Sequence, residues 1–250
     1  MSSQLTWIEE QLSQSGILVS TYIVENGIPH EQIQEFIAAG ALERISIGLY
    51  AKQQSFISPI EVVSALQNQM RLDVHIAAMS SLVYQNILTP PDGNNQKLLL
   101  SSAQFIRLPK WVHQREWGAV YSVTRMFDEY SDSDFVNVNT AGQNLKVSCL
   151  ELAILQCLEP VTNEERFETA LNLIRQIDTI DVAKMQSLLA RSKSIKTNRL
   201  LMHLAHKTKR SWFADLNPEI MQLDDEEIQV IKDGLSDPHF KITIPAFYPA

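Results

Sequence analysis

The stretch Ser20–Ala51, STYIVENGIPHEQIQEFIAAGALERISIGLYA, decides the reading of the fold. Ser20 suits the N-cap of a short helix through Glu25, which Asn26-Gly27 closes. Pro29 falls in the first turn of the next helix, where its missing N–H costs nothing. Ile33, Phe36 and Ile37 share one face of that helix, and Gly40 ends it. Leu42-Glu43-Arg44-Ile45 and Leu49-Tyr50-Ala51, separated by Ser-Ile-Gly, read as a two-stranded wing. An earlier helix with Leu5, Ile8 and Leu12 on one face ends at Gly16, and another runs from about Ile60 to Met70. Helix, turn, helix and wing in this order predict a winged helix-turn-helix over 1–70, of the kind that places a helix in a major groove.

Nucleic-acid contacts in that domain would come from His30, Gln32 and Gln34 on the recognition helix and from Arg44 and Lys52 around the wing. Gln32 and Gln34 have the chemistry to read base edges, though solvent-facing glutamines of a structural helix look the same. Arg44 and Lys52 are the two basic residues of 1–70, against seven acidic ones. Phosphate contacts need a cation or an oriented N–H, so this balance predicts weak DNA binding unless other residues help.

Residues 71–250 predict a second region in two parts. Over 71–147 the chain is sheet-rich: Val74-His75-Ile76, a helix from Ala77 to about Asn86, a Pro90–Asn95 loop, and strands at 97–101 and 118–124. Phe135–Asn139 and Asn144–Val147 alternate across Ala141-Gly142, which predicts a hairpin in a mostly antiparallel sheet. Over 148–250 helices follow at 148–158, 163–177, 182–190 and 194–208, with Ser148 and Glu151 at capping-box spacing. Ile228–Ile231 and Lys241–Pro245 read as a closing hairpin. The fold class is therefore α+β: a winged helix-turn-helix, then a mixed α/β region ending in a helical bundle and hairpin.

Charge is segregated. Lys184–Arg210 holds eight Lys and Arg and no acid, while the rest of the chain has 13 basic and 29 acidic residues. Within it Ser194 caps a helix to Thr208. At about 100° per residue, Lys196, Arg199, His203 and Lys207 fall together, with Leu201, Leu204 and Ala205 on the other side. The expectation is an amphipathic helix with a basic ridge in solvent, offering Arg191, Lys193, Lys196, Arg199, His203, Lys207, Lys209 and Arg210 to nucleic acid or an acidic partner. A solvated cationic face without a partner is the plainer alternative.

Other chemistry finds little support. Eight glycines in 250 residues, about 3% against a usual ~7%, disfavour a glycine-rich phosphate loop, and no motif for one occurs. If Cys149 and Cys157 lie on one helix, their eight-residue spacing puts them about 12 Å apart, too far for a disulfide. His203-x-x-His206 has no carboxylate or thiolate beside it, and Asp224–Glu227 reads as a solvated acidic turn, so no metal and no cofactor are expected. Trp111 and Trp117 flank Arg115 and suit either an interface or a core. No nucleophile–base motif is present, so no catalytic residue is assigned. The N-terminus is not a signal peptide and no run reaches ~20 apolar residues, which fits a soluble, cytoplasmic protein without a membrane partner.

Several motifs resemble one family. They are Val24-Glu25-Asn26-Gly27-Ile28, Gly40–Ile45, Gly48-Leu49-Tyr50, Ala65-Leu66-Gln67 and Val74-His75-Ile76, then Leu108–Val112. Later come Val147-Ser148 with Glu151–Leu155, Ser194-Ile195-Lys196 with Arg199-Leu200 and Leu204-Ala205, Asp237-Pro238, and Ile242–Pro245. In this order they resemble the AbiEi family, the antitoxin half of type IV toxin–antitoxin (abortive infection) systems linked to phage defence. The resemblance implies an N-terminal winged helix that represses its own operon at inverted repeats. It also implies a C-terminal region that neutralises a cognate nucleotidyltransferase-like toxin, in a non-enzymatic monomer or homodimer. Where relatives carry basic residues in the recognition helix and wing turn, this chain has His30, Glu31, Ala38, Ala39 and Ile47. It also has Asp224–Glu227 where relatives often have a glycine-and-lysine turn. The alternative is a sequence-specific transcriptional regulator whose C-terminal region serves dimerisation or sensing.

Overall fold

A computed structural model of the chain describes residues 3–90, 97–114, 118–221 and 226–246. The first helices are α1 (Ser3–Ser15), α2 (Ser20–Glu25) and α3 (His30–Ala38). A three-stranded antiparallel sheet, ordered β1-β3-β2, combines the wing strands β2 (Glu43–Ser46) and β3 (Leu49–Ala51) with β1 (Ile17–Val19). Ile8, Leu12, Ile23, Ile33, Phe36 and Leu42 close a core beneath the helices. The helix–turn–helix and hairpin thus follow the expected order. Ser20 is not the cap, however: Val19 occupies that place, and the Ser20 N–H donates to the Gly48 carbonyl at the wing turn.

The segment after the wing is α4 (Pro59–Ser64) followed by a π-helical turn, Ala65–Gln69. Ser58 and Glu61 form a capping box at its start. The π turn carries three consecutive amide side chains, and each closes a gap in a neighbouring backbone. Gln69 accepts from Val19 N–H and donates to Ile17 O, both at 2.8 Å, completing the edge of β1. Gln67 accepts from Lys146 N–H and donates to Lys146 O, both at 2.9 Å. Asn68 donates to Asn144 O. Residues two apart point to nearly opposite sides of a helix, so this one element bonds both the three-stranded sheet and the 143–148 strand.

That strand is β8 (Gln143–Ser148) of a five-stranded sheet ordered β6-β5-β4-β8-β7. The other members are β4 (His75–Ile76), β5 (Leu98–Ser102), β6 (Ala119–Val123) and β7 (Phe135–Thr140). The expectation of a mostly antiparallel sheet is corrected: β5 pairs with β6, and β4 with β8, in parallel. The β7–β8 hairpin forms as expected. Ala141 and Gly142 both take positive φ, 50° and 76°, as a two-residue hairpin turn matched to strand twist requires. Two short helices, α5 (Ala78–Tyr84) and α6 (Lys110–Gln114), accompany the sheet strands in sequence.

The remaining elements are α7 (Leu150–Leu158), α8 (Glu164–Gln176), α9 (Val182–Arg191), α10 (Ile195–Lys207) and an antiparallel pair, β9 (Leu235–Asp237) with β10 (Ile242–Ile244). Two expectations change here. Ser148 forms no capping box; Cys149 is the N-cap, and the Glu151 carboxylate accepts from Asp181 N–H instead. The strand facing β10 is 235–237, while Ile228 makes one isolated bridge to Ile242. The Asp224-Asp225 pair, Arg115, Trp117 and most of the expected Pro90–Asn95 loop lie outside the described residues; Trp111 is buried.

The chain divides into two compact units. One is Met1–Ile76, Val83–Val123 and Phe135–Val147; the other is Ala77–Leu82, Thr124–Asp134 and Ser148–Ala250. The sheet of 71–147 therefore groups with the helix–turn–helix instead of separating from it near residue 70. The amides of the π turn give the physical reason.

Candidate functional site

In the first unit, α3 presents a polar face. Ile33 and Phe36 are buried, and His30, Glu31, Gln34, Glu35 and Ala38 are exposed. At about 100° per residue, Glu31 and Ala38 lie at the middle of that exposed arc, with Gln34 and Glu35 flanking them. Gln32 is half-buried and donates to Gln4 Oε1 on α1, so its amide is turned away from the outer arc. Arg44 on β2 and Lys52 after β3 are exposed, and the wing turn shows Ile47 at 90% exposure. The five expected DNA-contacting residues are thus split: four face solvent, and one is engaged inside. The centre of the helix face is anionic.

In the same unit a groove of roughly 310 Å³ runs between the π turn and the β7–β8 hairpin. Arg71, Asp73 and Lys146 carry its charges, and Asn68, Asn137 and Asn144 supply amides. Lys146 is 2.8 Å from Asp73 and 4.0 Å from the Phe135 ring centroid. Sequence reading passed over this groove. Its one signal was the Asn137/Asn139 alternation, which marks an exposed polar sheet face.

In the second unit, α10 begins at Ser194, whose hydroxyl accepts from Thr197 N–H as expected. Its outer face is not as expected. Every residue from Thr197 to Ala205 is buried, and Arg199 and His203 are both 0% exposed. Arg199 and His203 are therefore taken out of the expected ridge. Arg191, Lys193 and Lys209 are exposed and Lys196, Lys207 and Arg210 half-buried, and several of these cations are engaged by acceptors around them. Lys196 Nζ donates to Glu159 O at 2.7 Å and Val161 O at 2.9 Å, beyond the last turn of α7. Arg210 donates to Arg175 O and Ile177 O at the end of α8 and pairs with Asp178. Asn198 donates to Leu189 O in the last turn of α9. Arg199 donates to Glu226 O and Lys241 O in the C-terminal segment.

Helix C-termini leave carbonyls without intrahelical donors and carry partial negative charge. Lys196 on α10 and Arg210 just beyond it supply such donors to the ends of α7 and α8, and the neutral Asn198 amide serves α9, so part of the cationic run is used inside the fold. Burial pulls Lys196 below the usual lysine range. His203 Nδ1 lies 2.9 Å from Asp237 Oδ2, yet burial outweighs that carboxylate and lowers the imidazole to about 4. Two further cations hold the 124–134 segment: Arg191 reaches the buried Asp134 at 2.7 Å, and Lys193 pairs with Asp128. Of the expected surface, Lys207 and Lys209 remain without a side-chain hydrogen bond or ion pair among the described residues; Lys209 is exposed and Lys207 partly so.

Among the described residues, no group of three or more His, Cys, Asp or Glu side chains could hold a metal ion, and no helix is long and apolar enough to cross a membrane. Cys149 is buried, with its thiol pushed up to about 11, mainly by desolvation.

Comparison with known proteins places this geometry. No curated protein matches the chain in sequence. The RV2827C protein from Mycobacterium tuberculosis, known from its crystal structure, is similar in fold: TM-score 0.61 at 10% identity, covering 97% of this chain and 91% of that one. Residues 1–88 match the family model for the transcriptional regulator AbiEi antitoxin N-terminal domain. Residues 95–245 match the model described as transcriptional regulator, AbiEi antitoxin, type IV TA system. With both models matched in order along the chain, this protein belongs to the AbiEi antitoxin family of type IV toxin–antitoxin transcriptional regulators.

Proposed function

We propose that this protein is the antitoxin of a type IV pair, neutralising a nucleotidyltransferase-like toxin without catalysis, and that its first unit binds inverted-repeat operator DNA. The observation that carries the reading is the match of two family models, an N-terminal one over the helix–turn–helix and hairpin and a larger one over 95–245. The protein acts in the cytoplasm, as a monomer or homodimer. Its partner surface includes Lys207 at the end of α10 and Lys209 just beyond it, whose side chains make no hydrogen bond or ion pair among the described residues. Arg199 and His203 are interior residues that keep α10 in place, and they support that surface without touching the toxin.

Growth of cells expressing the cognate toxin, with and without this chain, tests the reading. Restored growth supports it, and unrelieved toxicity refutes it.

A further inference from the structure

We infer that the groove of Arg71, Asn137, Asn144 and Lys146 is a contact site for the phosphodiester backbone of duplex DNA. The inference rests on the proposal that the first unit binds DNA, and it names where the backbone is held. The charge distribution of that unit points there. Residues 3–70 hold two cations and seven acids. The other described segments of the same unit hold Arg71, Lys97, Arg107, Lys110 and Lys146 against the single acid Asp73. An α3 face centred on Glu31 repels phosphate, so the counter-charge for a polyanion lies on the sheet side.

The groove has the donors for this ligand. The side chains of Arg71, Asn137 and Asn144 make no hydrogen bond or ion pair among the described residues. Their N–H groups are open to an oxyanion. Lys146 is anchored over Phe135 and offsets the charge of Asp73, leaving Arg71 as the uncompensated cation. The walls are fixed before any ligand arrives, because Gln67 brackets Lys146 through its N–H and carbonyl, and Asn68 holds Asn144 O. One guanidinium with neutral amides suits phosphate oxygens and carries no sequence information.

The test is fluorescence anisotropy with a labelled operator duplex and a scrambled duplex over a salt series. Arg71 has φ 53°, a conformation glycine adopts without strain, so Arg71→Gly deletes the cation and keeps the melting temperature at or above wild type. It should weaken binding to both duplexes about 5- to 10-fold and lower the salt slope by about one. Arg71→Glu should weaken it further. A folded Arg71→Gly variant with wild-type affinity and slope overturns the groove and leaves the DNA reading standing. Loss confined to the operator duplex also overturns it, since backbone contacts act on both. Wild-type protein that binds neither duplex refutes the groove and the DNA reading together.

Discussion

Helices α3 and α10 reverse the roles their charges suggest. α3 sits where a recognition helix belongs and is exposed on its polar side, yet that side centres on Glu31 and Ala38. α10 belongs to the most cationic stretch of the chain, yet Arg199 and His203 are sealed inside. A run of Lys and Arg without acid is thus a requirement for donors somewhere, and the acceptors need not be outside the molecule. Here they are carbonyls at the ends of α7 and α8 and in the C-terminal segment. A partner surface is better sought where cations remain without a side-chain partner among the described residues, such as Arg71 in the groove of the first unit and Lys207 with Lys209 in the second.

The sharpest way to break this contrast is to remove the interior cation. Arg199→Met removes the buried guanidinium that donates to the Glu226 carbonyl and shares the Lys241 carbonyl with Ile228 N–H. It is expected to cost about 1–3 kcal/mol of stability, read as a shift in the urea midpoint. Loss of under about 0.5 kcal/mol, the range of ordinary surface substitutions, would put Arg199 back on the surface.

Next in size is pH. His75 lies in the first unit and His203 in the second; burial, the main cause, lowers them to about 3 and about 4. Both are neutral in the fold below their ordinary 6.5, where the unfolded chain is protonated. The unfolded state therefore binds more protons, and stability falls as pH drops from about 6.5 towards 4, with His75 continuing to about 3. Each imidazole contributes about 1.4 kcal/mol per pH unit in that window. Urea midpoints at pH 7.5 and 5.5 should differ accordingly, and a His203→Asn variant should show the shallower dependence of His75 alone. Midpoints that do not move contradict the burial of both rings.

Much of the fold was legible. The Ala141-Gly142 hairpin, the Ser194 cap and the order of helices, turn and wing follow from turn residues and periodicity, which are local signals. β1 was not legible: three consecutive buried residues show no alternation, and their partners are in β3, across two helices. The closing pair was misassigned because 228–231 is apolar, whereas the true strand carries Asp237, whose carboxylate meets His203. Site residues were legible in position but not in direction. Gln32 turns to Gln4, and Lys196 and Arg199 of α10 turn inward to backbone carbonyls. Those carbonyls exist at every residue, so no sequence pattern marks the ones that need a donor. Helical periodicity also misleads for an element packed against α7, α8 and β10 together, where polar positions are interior.

The central claim is that interior cations hold the second unit together while Lys207 and Lys209 meet the partner. It is tested most directly by Lys207→Glu/Lys209→Glu, assayed in parallel for melting and for protection of toxin-expressing cells. The account predicts a stability change within about 0.5 kcal/mol together with weakened protection. Full protection by the folded double variant would contradict it.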